Sequence, residues 1–166
     1  MRRAATLAVA LALATTGCGD APVRTTRTAA APSPTYTAVV TDDRRATYDA
    51  QITRALEAMA AFGTVVSRVD GDNLKGLAPR FRSTERAFGR ELAATAALPR
   101  PTVPALAVAH DGLIAAWTRL HRAMRAIATA ARGDDARAFL TADDRFIAAA
   151  AAAQRAGDAF AKASAG

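Results

Sequence analysis

His110 and His121 are the first residues to test for chemistry, because an imidazole can act as base, proton carrier or metal ligand near neutral pH. They stand eleven residues apart in a stretch that reads as one helix. Eleven residues bring a helix back to nearly the same face but raise it by about 16 Å, so the two rings cannot share an ion. At i±3 and i±4 His110 has Leu106, Ala107, Leu113 and Ile114, and His121 has Trp117, Thr118, Met124 and Arg125. Neither has a carboxylate or a second histidine at those positions. A di-iron bundle site needs inward Glu-x-x-His pairs, yet the residues three after Glu57, Glu85 and Glu91 are Ala60, Phe88 and Ala94. A haem held by His110 needs a second axial group. Met124 lies fourteen residues along the same helix, about 21 Å away, which leaves Met59. The expected role of His110 is instead that of a semi-buried residue near one bundle end, hydrogen-bonded to a backbone carbonyl beside the proline-rich link. Trp117 and Met124 read as core.

Nucleophilic and phosphate chemistry find no frame. Ser33, Ser67, Ser83 and Ser164 lie outside any Gly-x-Ser-x-Gly elbow, and no glycine-rich phosphate loop occurs. Asp143 and Asp144 are adjacent, so on a helix they diverge by about 100° and do not form an acid–base pair. Asp143 falls on an otherwise apolar stripe, where it either meets an arginine or marks a rotation of the buried face. The expectation is a chain with no catalytic residues, metal site or cofactor. The remaining chemistry is arginine. Arg82, Arg86 and Arg90 make an i, i+4, i+8 row, and Arg119, Arg122 and Arg125 cluster farther on. They read either as a surface for anionic lipid or an anionic envelope polymer, or as solvated charges that complement neighbouring helices and set their pairing.

The elements that carry these residues are helical. More than a quarter of the chain is alanine, the best helix former, and no β-branched run of period two appears. Four stripes follow the 4-3 alternation of bundle seams. The first runs Tyr48, Ile52, Ala55, Met59, Phe62, Val66, Val69, after Asp42 or Asp43 as cap, and ends at Gly71-Asp72-Asn73. The second runs Leu74, Leu77, Phe81, Thr84, Phe88, Leu92, Thr95, Leu98. Pro79 places its start either near Ala78 or one kinked turn earlier, and Pro99, Pro101 and Pro104 stop it. The third runs Leu106, His110, Leu113, Trp117, Leu120, Met124, Ile127, Ala131, with Gly133 as C-cap. The fourth, capped by Asp134, runs Phe139, Asp143, Phe146, Ala150, Ala153, Gly157, Phe160. Its alanines, Ala148 to Ala153, should let a neighbour approach closely, with the Trp117 and Phe88 rows as the facing side. Short links make the fold an all-α, antiparallel up-down four-helix bundle over residues 42–166.

Upstream, Met1-Arg2-Arg3 is followed by an uncharged apolar stretch, Ala4 to Ala14, too short to span a bilayer as a helix. Gly17-Cys18 then presents the single cysteine of the 166 residues. No internal disulfide or Cys-x-x-Cys site can form. This leader resembles the signal peptide of bacterial lipoproteins, in which a small residue directly precedes the modified cysteine. Thr15 departs from the usual leucine. The resemblance covers the first 18 residues and implies diacylglyceryl transfer to Cys18, cleavage that removes residues 1–17, and acylation, palmitate included, of the new terminus. The heavy excess of arginine over lysine, with the alanine content, fits a high-G+C bacterial genome.

Gly19 to Thr41 is rich in Pro, Thr and Ala and lacks apolar periodicity, so with Cys18 it reads as a disordered tether over 18–41. As a coil its 23 residues span about 25 Å. The net charge of +7 falls to +5 once Arg2 and Arg3 leave with the leader, a balance that does not point to nucleic acid. The charge is uneven: −2 over residues 42–72, +3 over 73–98, +3 over 105–132 and −1 over 134–166. The expected protein is exported and anchored by lipid at the outer face of the membrane. Its role is a non-catalytic binding or structural one at the envelope, with membrane, anionic polymer or an envelope protein as partner. The alternative is a ligand-, haem- or metal-binding bundle centred on His110.

Overall fold

The computed structural model describes residues 42–70 and 73–165. The leader, Cys18 and the tether lie outside the described residues. Four helices follow in order: α1 (Asp42–Val66), α2 (Leu74–Ala96), α3 (Pro104–Gly133) and α4 (Ala136–Ser164). They form an antiparallel up-down four-helix bundle, with close packing between α1 and α2, α2 and α3, and α3 and α4. Helices of 23 to 30 residues are about 35–45 Å long. Among the described residues no helix is long and apolar enough to cross a membrane.

The core is built of rings and small residues. Phe62, Phe81, Phe88, Leu113, Leu120, Met124 and Ile127 are fully buried, and Trp117 nearly so. Near one end Phe62 of α1 lies 5.4 Å from Phe81 of α2 and 5.3 Å from Phe146 of α4, between ring centroids, and Phe81 reaches Phe139 at 6.0 Å. Phe88 meets Trp117 edge-on at 6.0 Å. At the far end Tyr48 of α1 contacts Phe160 of α4 at 5.9 Å. Long aromatic side chains therefore span the gap between α1 and α4, whereas alanine-rich α4 sits close on α3. The α4 rings face Phe62, Phe81 and Tyr48, and Trp117 makes its ring contact with Phe88 of α2.

The stripes read from the sequence are right in kind and differ in centre. On α1 the fully buried positions are Gln51, Ala55, Phe62 and Val65, with Ile52, Met59 and Val66 only half-buried. Gln51 is tolerated because Glu91 of α2 receives it. Its amide donates to the Glu91 backbone carbonyl at 3.1 Å and to Glu91 Oε2 at 2.8 Å, and its own carbonyl accepts from Arg54. On α4 the buried row passes through Ala142 rather than Asp143. Among the described residues Asp143 has no arginine partner, and it marks a rotated seam.

Boundaries shift for local reasons. Ser67 and Arg68 already form a turn, so Val69 stands in the link; Asn73 holds that link by accepting from the Asp70 N–H at 3.0 Å and donating to the Arg68 carbonyl at 2.8 Å. Leu98 falls beyond α2. Pro79 lies inside a continuous α2, which starts at Leu74, one turn before Ala78; the exposed Lys75 carbonyl it leaves without a helical donor can turn to water. Between α3 and α4 the caps move by one residue. Asp134, with φ 55°, takes the left-handed position instead of Gly133, and its N–H and that of Asp135 donate to the carbonyls of Ala131 and Ala130. Asp135 then caps α4 by accepting from the Ala138 N–H at 2.8 Å.

Candidate functional site

His110 is 5 % exposed, against the ring of Tyr48 at 5.8 Å and that of Phe160 at 6.4 Å. Both its ring nitrogens are buried and, among the described residues, without a hydrogen-bond partner. The expected bond to a carbonyl of the proline link does not form, because Tyr48 takes the place: its hydroxyl donates to the Pro99 carbonyl. The nearest charge is Asp111, whose Oδ1 lies 3.7 Å from His110 Nδ1. Asp111 is held by Arg100, which donates to it from Nε at 3.2 Å and from Nη2 at 2.7 Å. That guanidinium, through its hydrogen bond, holds the Asp111 carboxyl below the usual range. Because Tyr48 packs on His110, the register of α1 is fixed here, and Met59 lies eleven residues farther along, about 16 Å away. The two cannot ligate one iron, and the His110–Met59 axial pair is ruled out. Among the described residues no three His, Cys, Asp or Glu side chains gather as a metal site.

His121 has a partner that within-helix spacing could not find. Its Nε2 lies 2.7 Å from Glu85 Oε1 on α2, and Arg125 Nε approaches the same oxygen at 3.6 Å. The ring nests where α2 has no side chain: a Cβ on Gly89 would stand 2.8 Å from His121 Nε2 and 2.9 Å from Cε1. A glycine inside a helix costs about 1 kcal/mol relative to alanine. Gly89, one turn after Glu85, was therefore the sequence signal for a close approach. This cluster lies at a groove of about 450 Å³ between α2 and α3, where Arg86 and Arg90 add two more positive charges.

A larger groove, of about 900 Å³, runs between α3 and α4. Exposed Arg122 and Arg125 of α3 and Arg137 and Arg145 of α4 rim it. Its base is small and apolar, with Ala130 and Ala142 buried and Ala126 half-buried. One carboxylate, that of Asp135, lines it at the inter-helix turn.

The structure thus sorts the six arginines singled out in the sequence. Arg86, Arg90 and Arg125 border the α2–α3 groove; Arg122 and Arg125 border the α3–α4 groove; Arg82 and Arg119 line neither. Arg137 and Arg145 join them only in three dimensions. Among the described residues, Arg125 alone of these eight has a carboxylate within 4 Å. The other seven stand exposed to solvent. Comparison of the chain with protein-family models, curated proteins and solved structures returns no match.

Proposed function

We propose that this chain is an exported lipoprotein, acylated at Cys18 and held at the outer face of the cell membrane, whose bundle is a non-catalytic module that binds an anionic partner of the envelope. The observation that carries the binding role is the convergence of Arg122, Arg125, Arg137 and Arg145 on one open groove with a single carboxylate at its end. Crowding like charges costs free energy through self-repulsion, and an anionic partner removes that cost. Arginine suits the task, since its planar fork donates two parallel hydrogen bonds to phosphate or carboxylate. The export and anchoring rest on the Gly17-Cys18 leader. Stable retention takes two or more acyl chains, at about 0.8 kcal/mol per buried CH₂.

The test has two arms. Cell fractionation of the wild-type chain and of Cys18→Ser should find the first with membranes and the second released; an unchanged membrane fraction for Cys18→Ser sinks the anchor. Crosslinking of intact envelopes followed by pull-down should recover an anionic polymer or lipid, and recovery of only neutral partners sinks the binding role. A ligand site centred on His110 is the second reading, favoured by its two buried, unpartnered ring nitrogens. An absorbance spectrum without a Soret band and a blank metal analysis would remove its haem and metal forms.

A further inference from the structure

We infer that the α3–α4 groove is a site for a linear, phosphate-bearing polymer laid along the helix axes, rather than for a single anion or a flat membrane; this rests on the anionic-partner reading above. The first reason is length. Arg137 and Arg145 are eight residues apart on α4, about 12 Å along the axis. A single anion could serve both ends only if both long side chains stretched toward it, whereas a strand along the axis meets each in turn. Arg122 and Arg125 come from α3, which runs antiparallel, and they stand opposite the Arg145 end because the two helices fold back at Gly133–Asp135. The charges therefore form two walls of one channel.

The second reason is shape. The rim is long, charged and exposed, and the base is alanine. A bilayer surface meets a convex or flat face, and the base of a groove is withdrawn from it. A single polymer strand fits between the rims, with its uncharged linkers over Ala126, Ala130 and Ala142 and its phosphates toward the guanidinium groups on both sides. Each internal phosphate of such a strand keeps two non-bridging oxygens in the chain itself, so forks from α3 and α4 can each engage one. Asp135 opposes an anion at the turn, which sets the end of the bound stretch near Arg137.

The experiment uses the full-length chain carrying Cys18→Ser, so that no lipid anchor masks surface binding. Four probes are titrated at several salt concentrations: inorganic polyphosphate, orthophosphate, polyglutamate and phosphatidylglycerol vesicles. Polyphosphate should bind at least 100-fold more tightly than orthophosphate and more tightly than polyglutamate or vesicles. Its affinity should fall with salt at a log–log slope of about −0.7 for each phosphate engaged, hence near −3 for four. Arg122→Ala with Arg145→Ala should weaken polyphosphate binding by tenfold or more and flatten the slope by about half. Arg86→Ala with Arg90→Ala should change affinity by less than threefold. All four positions are exposed, and circular dichroism checks that each variant keeps its helices. Equal loss in the two double variants overturns the groove site and leaves an anion-binding face. Tighter binding to vesicles or polyglutamate overturns the polymer class in the same way. Failure of every polyanion to bind overturns the anionic-partner reading itself.

Discussion

Among the described residues, His110 and Asp143 are the two at which the bundle buries polarity without an answer for it. A buried polar atom without a partner costs about 1–3 kcal/mol, and both ring nitrogens of His110 are in that state. His110→Leu should therefore raise stability by about 1 kcal/mol in urea unfolding, provided the leucine fills the space between Tyr48 and Phe160. Asp143 has a buried Oδ1 with no partner, and burial first, then the charge of Asp144, hold its carboxyl above the usual range. The sign of the pH effect follows. The folded chain keeps the proton where the unfolded chain has released it, so ionised Asp143 disfavours folding. That penalty is complete above its raised value, shrinks as pH falls through it, and is gone below the ordinary carboxylate value of about 3.9. Thermal melts of Asp143→Asn should show a gain in Tm at pH 7 that narrows steadily toward acid. A gain that does not depend on pH would mean that ionisation is not the cause.

The clearest element-scale test is the contact between α2 and α3 at Gly89. Gly89→Ala should cost about 1–3 kcal/mol despite its better helix propensity, because the new methyl meets the His121 ring that Glu85 holds in place. In His121→Ala the same substitution should become neutral or stabilising, and a double-mutant cycle in urea reads the difference. The helices themselves were legible in the sequence: the 4-3 spacing named Phe62, Phe81, Phe88, Trp117 and Phe146 as inward, and the prolines after Leu98 placed the break between α2 and α3. What was not legible came from pairs across helices. Gln51 takes a core position only because Glu91 is opposite, and Tyr48 rather than His110 claims the Pro99 carbonyl. Glu85 and His121 are thirty-six residues apart in sequence, beyond the reach of any i±4 rule. The rim shared by Arg122 and Arg145 likewise needs the α3–α4 hairpin, whose turn uses Asp134 where a glycine is the easier left-handed residue.

At the scale of the whole molecule, the two sides of the bundle differ in how they are closed. The α3–α4 side is backbone-close and carries the arginine groove; the α1–α4 side is spanned by rings. Chain preceding the bundle enters at Asp42, so a pull from that direction arrives on α1, the helix joined to α4 by side chains alone. Near that end Tyr48 bonds to Pro99 and packs on His110 and Phe160. Tyr48 is thus placed to share tension with the link before α3 and with the end of α4, while Gln51 on Glu91 and Phe62 on Phe81 hold α1 farther along. In single-molecule pulling from the N-terminal side, Tyr48→Phe should lower the rupture force while leaving the fluctuations of α3 and α4 unchanged. Under load, a hydroxyl at the rim of the core is one of the contacts that such a pull tests early.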